Sequence, residues 1–261
     1  MHQNRDFGIT HIKARKDHRC YGMGLGIMIC DEAYPGFPGD VRNASAWPFP
    51  VQYEVVKGVD LQALVWAEDK TPCLQPILQA AKNLERMGCR AIAAECGYYA
   101  WFQEEISAAV SVPVFLSSLL QVPFAQQVVG ANRVVGVLVA LKKQLEEKHL
   151  TSVGIVPGSN FVVAGAEDDG CCPEFDHLWV KSLQTDPPGA LYDKTEKEFV
   201  KVAVDFYRAN PKMGAMVLEC TGMQPFARAI QREIDIPIFS WGTLLDYAWS
   251  VAVHRDYYGH V

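Results

Sequence analysis

The chain writes one pattern twice. Shifted by 124 residues and laid on itself without a gap, "ECGYYAWFQEEISAAVSVPVF" falls on "ECTGMQPFARAIQREIDIPIF". Glu95-Cys96 meets Glu219-Cys220, Phe102 meets Phe226, Ile106 meets Ile230, and Val112-Pro113-Val114-Phe115 meets Ile236-Pro237-Ile238-Phe239. Apolar spacing is common to any two strand-helix units. Coincident Glu-Cys, Phe, Ile, Pro and Phe are not, and the segment reads as an internal duplication. A chain built this way folds as two similar halves.

Around the repeat, short apolar runs alternate with amphipathic segments, as β-α units of a parallel sheet do. Strands are expected at "GLGIMIC", "VQYEVV", "CRAIAAEC" and "VPVFLSS", and in the second round at "RVVGVLVA", "FVVAGA", "AMVLEC" and "IPIFS". "CLQPILQAAKNLERMG" and "EKEFVKVAVDFYRANPKMG" carry helical spacing, whereas Gly154 to Lys194 gives no clear reading beyond one strand. The expected fold class is α/β: two similar parallel-sheet, Rossmann-like domains related by a pseudo-twofold, with the active site in the cleft between them. Residues 1–20 make an N-terminal arm, 21–130 the first domain and 131–239 the second.

With 49% hydrophobic residues and a net charge of −6, the composition is that of a globular protein without the basic stripe a nucleic-acid partner requires. No apolar run approaches the ~20 residues of a membrane span. The opening stretch lacks the apolar core of a secretory signal. Eight cysteines with no C-x-x-C pair, and no histidine at ligand spacing, give no metal site; reduced thiols and a cytoplasmic setting are expected. "GMGLG" precedes its strand, so it is not a dinucleotide fingerprint.

Ligands of open parallel sheets bind beyond the carboxyl ends of the strands. Cys96 and Cys220 each end a strand there, so a pseudo-twofold aims two thiols into one cleft. That arrangement suits proton transfer at the carbon next to a carboxylate, one thiolate removing a proton and the opposite thiol returning one, with no cofactor. Strand alternation turns Glu95 and Glu219 to the opposite face, as scaffold. The long "PGFPGDVRNASAWPFP" segment reads as a lid from which Arg42 and Asn43 contact an anion. Tyr98, Tyr99 and Trp101 favour a bulky or cationic substrate.

The strand ends "ECG" and "ECTGM", with the restart at "RVVGVLVA", resemble the aspartate/glutamate/hydantoin racemase superfamily from about Gly22 onward. The resemblance implies Cys96 and Cys220 as the acid/base pair. Gly97, Tyr98, Thr221 and Gly222 would be carboxylate-binding donors, Ser117 and Ser118 further substrate contacts, and Asp31 a support behind Cys96. It also implies that residues from about 240 to 261 return to the first domain, and that the chain forms a homo-oligomer, a dimer or tetramer. The sequence departs from glutamate-racemase-type members, which have Asn-Thr where this chain has Gly97-Tyr98 and a His or Glu near Gly222-Met223. The expected activity is a cofactor-independent racemase or isomerase acting on a small carboxylate-bearing substrate. The alternatives are a lyase or decarboxylase of the same superfamily, of the dimethylsulfoniopropionate lyase or arylmalonate decarboxylase type, and a non-catalytic ligand-binding or redox-sensing protein.

Overall fold

The computed structural model describes residues 11–257 apart from 12, 17 and 167–169. Most of the expected N-terminal arm therefore lies outside the described residues. Its last part is tied down, Arg19 and Cys20 donating backbone N–H groups to Arg86 O and Met87 O. Among the described residues no helix is long and apolar enough to cross a membrane.

Among the described residues eight strands form two parallel sheets. The first takes β1 (Leu25–Cys30), β2 (Val51–Val56), β3 (Ala91–Ala94) and β4 (Val114–Phe115) in the order β2-β1-β3-β4. The second takes β5 (Val134–Val139), β6 (Phe161–Gly165), β7 (Met213–Leu218) and β8 (Ile238–Phe239) in the order β6-β5-β7-β8, the same topology. The central strands are apolar along their whole length because helices cover both faces of each sheet. The helices are α1 (Thr71–Met87), α2 (Gln103–Ala109), α3 (Gln121–Val129), α4 (Glu147–Thr151), α5 (Pro173–Trp179), α6 (Tyr192–Ala209), α7 (Ala227–Ile234) and α8 (Trp241–Ala252).

Helical periodicity decides which face each helix buries. In α1, Cys73, Ile77, Ala80, Ala81 and Leu84 form one buried stripe. The helix stops at Gly88, whose φ of 97° and a Cβ position 2.3 Å from Cys20 O both exclude a side chain. In α6 the stripe is Thr195, Phe199, Ala203 and Phe206. Short 3₁₀ segments lead into several helices: Gly97–Phe102 precedes α2, Ser118–Leu120 α3, Lys142–Gln144 α4 and Thr221–Phe226 α7.

Each half lends its last helix to the other. Helix α3 follows β4 of the first sheet, yet Val122 and Ala125 pack on Val135, Val137, Ala215 and Val217 of the second. Helix α8 follows β8 of the second sheet, yet Trp241, Leu244, Leu245 and Ala248 pack on Leu25, Ile27, Ala91 and Ala93 of the first. By packing, α3 therefore sits with the second sheet, on the other side of the boundary drawn at residue 130. The two exchanged helices are pinned at their starts: Gln121 Nε2 donates to Ser240 O at 2.9 Å and Thr243 Oγ1 to Gln121 Oε1 at 2.7 Å.

A second seam runs behind the strand ends. Lys70, 1% exposed, donates from Nζ to Ala67 O and to Glu146 Oε1 and lies 5.1 Å from the Trp101 ring centre. His149, fully buried, accepts the Glu146 N–H at Nδ1 and meets Tyr98 and Trp101 edge-on. Burial, and then the charge of Lys70, hold its pKa down at about 4. A folded pKa below the unfolded one favours the neutral form. The contribution is thus whole above the unfolded value of about 6.5 and is lost as pH falls through about 4. At about pH 5 the wild type is expected to lose roughly 2 kcal/mol relative to its stability at about pH 7.5 through this residue. Urea unfolding of wild type and His149→Gln at both pH values isolates that difference from the other titrating groups. Equal pH slopes in the two proteins would remove the assignment.

Candidate active site

Strands β3 and β7 end at Ala94 and Leu218, and the duplicated Glu-Cys follows each end directly. Cys96 caps the 3₁₀ turn Gly97–Phe102, and Cys220 caps the matching turn Thr221–Phe226. Both thiols open onto one cavity between the halves. Its floor is Glu95, Cys96, Glu219, Cys220 and Thr221. Glu32, Tyr34 and Arg42 enter from the loop after β1, Leu61 and Val65 from the turn before α1, and Phe175 and Trp179 from α5.

The two glutamates are on this wall, not turned away from it. Pleat alternation governs residues inside a strand, and both glutamates lie one residue beyond it. They are spent differently. Glu95 is gripped by Arg42, whose Nε donates to Oε2 and whose Nη2 donates to Oε1 at 2.6 Å, and Oε1 also accepts the Cys30 N–H. Arg42 further donates to Glu32 O at 2.8 Å and to Cys30 O at 3.0 Å. Burial works against its charge, but the contacts with Glu95 outweigh that and hold the guanidinium firmly protonated. Among the described residues Glu219 has no cation. It is 1% exposed, its Oε2 accepts the Ala140 N–H at 3.1 Å, and its Oε1 has no hydrogen-bond partner. Burial raises it to about 7, with the Ala140 N–H pulling the other way. Burial likewise raises Glu32 to about 7 against the pull of Arg42.

Cys96 is half-buried. The surface it keeps faces a cavity walled by protein, so desolvation pushes its thiol well above the ordinary range, followed by the nearby Cys30, Glu219 and Cys220. The Tyr98 N–H, bonded to the sulfur, lowers it. Cys30 is fully enclosed, 3.5 Å from Tyr99 Oη, and its thiol is raised by burial and then by Glu95.

Other residues singled out in the sequence are placed unequally. Thr221 and Tyr98 line the cavity, but the Tyr98 hydroxyl is taken, donating to Leu141 O at 2.7 Å and accepting from Leu141 N at 3.0 Å. Gly97 and Gly222 lie beside it, leaving room for others: a Cβ at Gly97 would stand 1.9 Å from Glu219 Oε1, and one at Gly222 2.5 Å from Phe175 Cε2. Arg42 is on the wall but committed to Glu95. Asn43 instead caps a turn, accepting from Ser45 N, and lies off the cavity wall. Asp31 is exposed and accepts the Gly58 N–H, and its neighbour Glu32 holds the position expected of it. Ser117 and Ser118 are buried away from the cavity, the first capping a turn through Leu119 N and the second accepting from Gln121 Nε2. Trp101 is occupied by Lys70 and Lys148.

Several wall residues were not picked out from sequence. Phe175 and Trp179 come from the stretch that gave no clear reading, although Phe175, Leu178 and Trp179 after Pro173 do carry helical spacing. Tyr34 carried no local signal.

No protein-family model matches the chain. A dimethylsulfoniopropionate lyase of Durusdinium sp. clade D is 24% identical over 231 residues, covering 86% of this chain and 73% of its own length. Dimethylsulfoniopropionate lyase 6 of Emiliania huxleyi (strain CCMP1516) is 27% identical over 219 residues, covering 82% of this chain and 56% of its own length. The chain thus spans little more than half of that second relative. Among solved structures, a doubly substituted variant of arylmalonate decarboxylase in a liganded form aligns at a TM-score of 0.59 and 15% identity over 89% of this chain and 93% of its own. Allantoin racemase from Pseudomonas fluorescens aligns at 0.53 and 15% identity over 87% of this chain and 88% of its own. An aspartate racemase homologue from Pyrococcus horikoshii OT3 aligns at 0.52 and 15% identity, over 87% and 98%. The chain shares its fold of paired four-stranded parallel sheets with these proteins, a decarboxylase and two racemase-named structures.

Proposed function

We propose that the chain is a cofactor-independent enzyme that moves a proton at the carbon alpha to a carboxylate, with Cys96 and Cys220 as the acid/base pair. The observation that carries this reading is that the two duplicated strand ends place both thiols on one cavity. Of the outcomes weighed from sequence, racemisation, elimination and decarboxylation, elimination is favoured. The curated relatives at this level of similarity bear the name dimethylsulfoniopropionate lyase. The cavity agrees with a substrate carrying a positive charge: Glu32, Glu95 and Glu219 line it against the single cation Arg42, which Glu95 already engages.

The reaction on such a sulfonium carboxylate balances without a co-reactant. A thiolate takes the α-proton, the freed electron pair forms the α–β double bond, and the C–S bond breaks with its pair leaving on sulfur. The products are the thioether, the unsaturated carboxylate and one proton. Thr221, on the cavity floor, is the retained candidate for contact with the substrate carboxylate. A homo-oligomer and a cytoplasmic setting belong to the same proposal.

Incubation with dimethylsulfoniopropionate in deuterated water, read by headspace gas chromatography and proton NMR, is expected to give dimethyl sulfide and acrylate in equal amounts. Deuterium at the α-carbon of a chiral carboxylate with inversion, and no thioether, would return the racemase reading. Neither product nor exchange would sink both.

A further inference from the structure

The resting structure poses a problem for its own chemistry. Cys96 must become a thiolate to act as a base, yet it sits out of water beside other anionic groups. The residue placed to solve this comes from the other half of the molecule. Glu219 Oε1 lies against Gly97, the residue directly after Cys96, where a Cβ would stand only 1.9 Å away. That oxygen is buried and, among the described residues, without a hydrogen-bond partner, although nine-tenths or more of such polar atoms are satisfied in folded proteins. The repeat makes the contrast sharp: the equivalent glutamate, Glu95, has both oxygens engaged by Arg42 and the Cys30 N–H.

We propose that Glu219 is the proton acceptor for Cys96, forming a Cys-Glu proton pair that reaches across the two halves. In the step, the Sγ–H bond of Cys96 breaks, an O–H bond forms at Glu219 Oε1, and the new O–H stands as a donor toward the thiolate it has created. The pair as a whole keeps one proton and one negative charge, so no ion is taken from or lost to solvent. Oε1 is the oxygen free to carry that proton, because Oε2 is turned to the Ala140 N–H. Glu219 acts through Cys96 and is a positioning residue. The inference rests on reading Cys96 as a proton-transferring thiol.

The groups around the pair are accounted for. Cys30, Cys220 and Tyr99 face Cys96, and Glu32, Tyr34, Glu95 and Arg42 share the cavity. Arg42, their cation, is bound to Glu95. With Glu219 raised by burial to about 7, the carboxylate is available near neutrality to take the proton.

The test reads Cys96 itself, so it does not depend on turnover. The rate of alkylation of Cys96 by iodoacetamide is followed against pH by peptide mass spectrometry. In the wild type it is expected to rise with a midpoint near that of Glu219. In Glu219→Gln, nearly isosteric but unable to accept a proton, the inflection at the glutamate's titration should be lost, leaving a single rise at the thiol's own, higher midpoint. Glu219→Asp should restore part of the inflection. Gly97→Ala, which keeps the glutamate but displaces its carboxyl, should behave as Glu219→Gln does, which guards against a folding defect in either variant. An unchanged Cys96 pH profile in both variants, with thermal unfolding intact, overturns the pair. A shifted profile in a protein that shows no α-proton chemistry on any carboxylate would uphold the pair and sink the proposed function instead.

Discussion

Cys96→Ser and Cys220→Ser are each expected to lower the rate of α-proton transfer by about 10³-fold or more, with the fold intact. A serine hydroxyl keeps the shape of the group but is far too weak an acid to supply an anion at neutral pH. The two residues act on one substrate, so the double variant should be little worse than either single one. Dimethyl sulfide release and α-deuterium exchange measure the loss, and retained binding of an unreactive carboxylate shows that the cavity survives. The pattern also separates the chemistries. In a two-base racemase, losing one cysteine leaves proton washout from one enantiomer and removes it from the other. In an elimination, losing the base stops washout and thioether release together. Cys73→Ser, at a buried thiol in α1 away from the cavity, is the control and should stay within tenfold. Equal activity of all three variants would end the cysteine mechanism.

The second large effect is on stability. Arg42→Met leaves Glu95, 6% exposed, without the cation that spans both its oxygens. Breaking one side of a buried ion pair costs about 3–5 kcal/mol because the remaining charge is stranded. In a chain of this size that is a fall in Tm on the order of 10 °C. Arg42→Met with Glu95→Gln removes both charges and should recover much of the loss. Denaturant unfolding of the four proteins completes the cycle. A single-variant loss below about 1 kcal/mol would mean that water reaches Glu95. Arg42 also ties the loop after β1 to the ends of β1 and β3 through Cys30 O and Glu32 O, so the same variant should loosen the wall carrying Tyr34.

How far sequence carried the argument can be judged at particular residues. Among the described residues seven of eight strands fall within the segments expected, because each is an apolar run bounded by turn residues, and the Glu-Cys coincidence put both thiols at equivalent ends. The exception, β7, starts two residues early, at Met213 and Gly214, in what read as the end of a helix. What could not be read was how strand ends are wired. The alternation that turned Glu95 and Glu219 away stops at Ala94 and Leu218, and no local pattern says where a strand stops to within one residue. Arg42 looked free to meet an anion because its partner lies 53 positions away. Asp31 and Glu32 are indistinguishable by type, and their fates differ by the path of the loop: one turns out to Gly58 and the other into the cavity. Phe175 and Trp179 sit in a stretch whose Gly, Pro and Asp content masks a short helix.

The exchange of last helices has a consequence for how the molecule is made. The face of the first sheet formed by Leu25, Ile27, Ala91 and Ala93 is covered by α8, so it stays bare on the ribosome until that helix has been synthesised. At about 5–20 residues per second, the stretch from β4 to the end of α8 takes on the order of ten seconds. For that interval the first half holds an apolar surface that only the finished second half can close. The order of translation therefore ties the birth of the two halves together as closely as the shared cavity joins their strand ends.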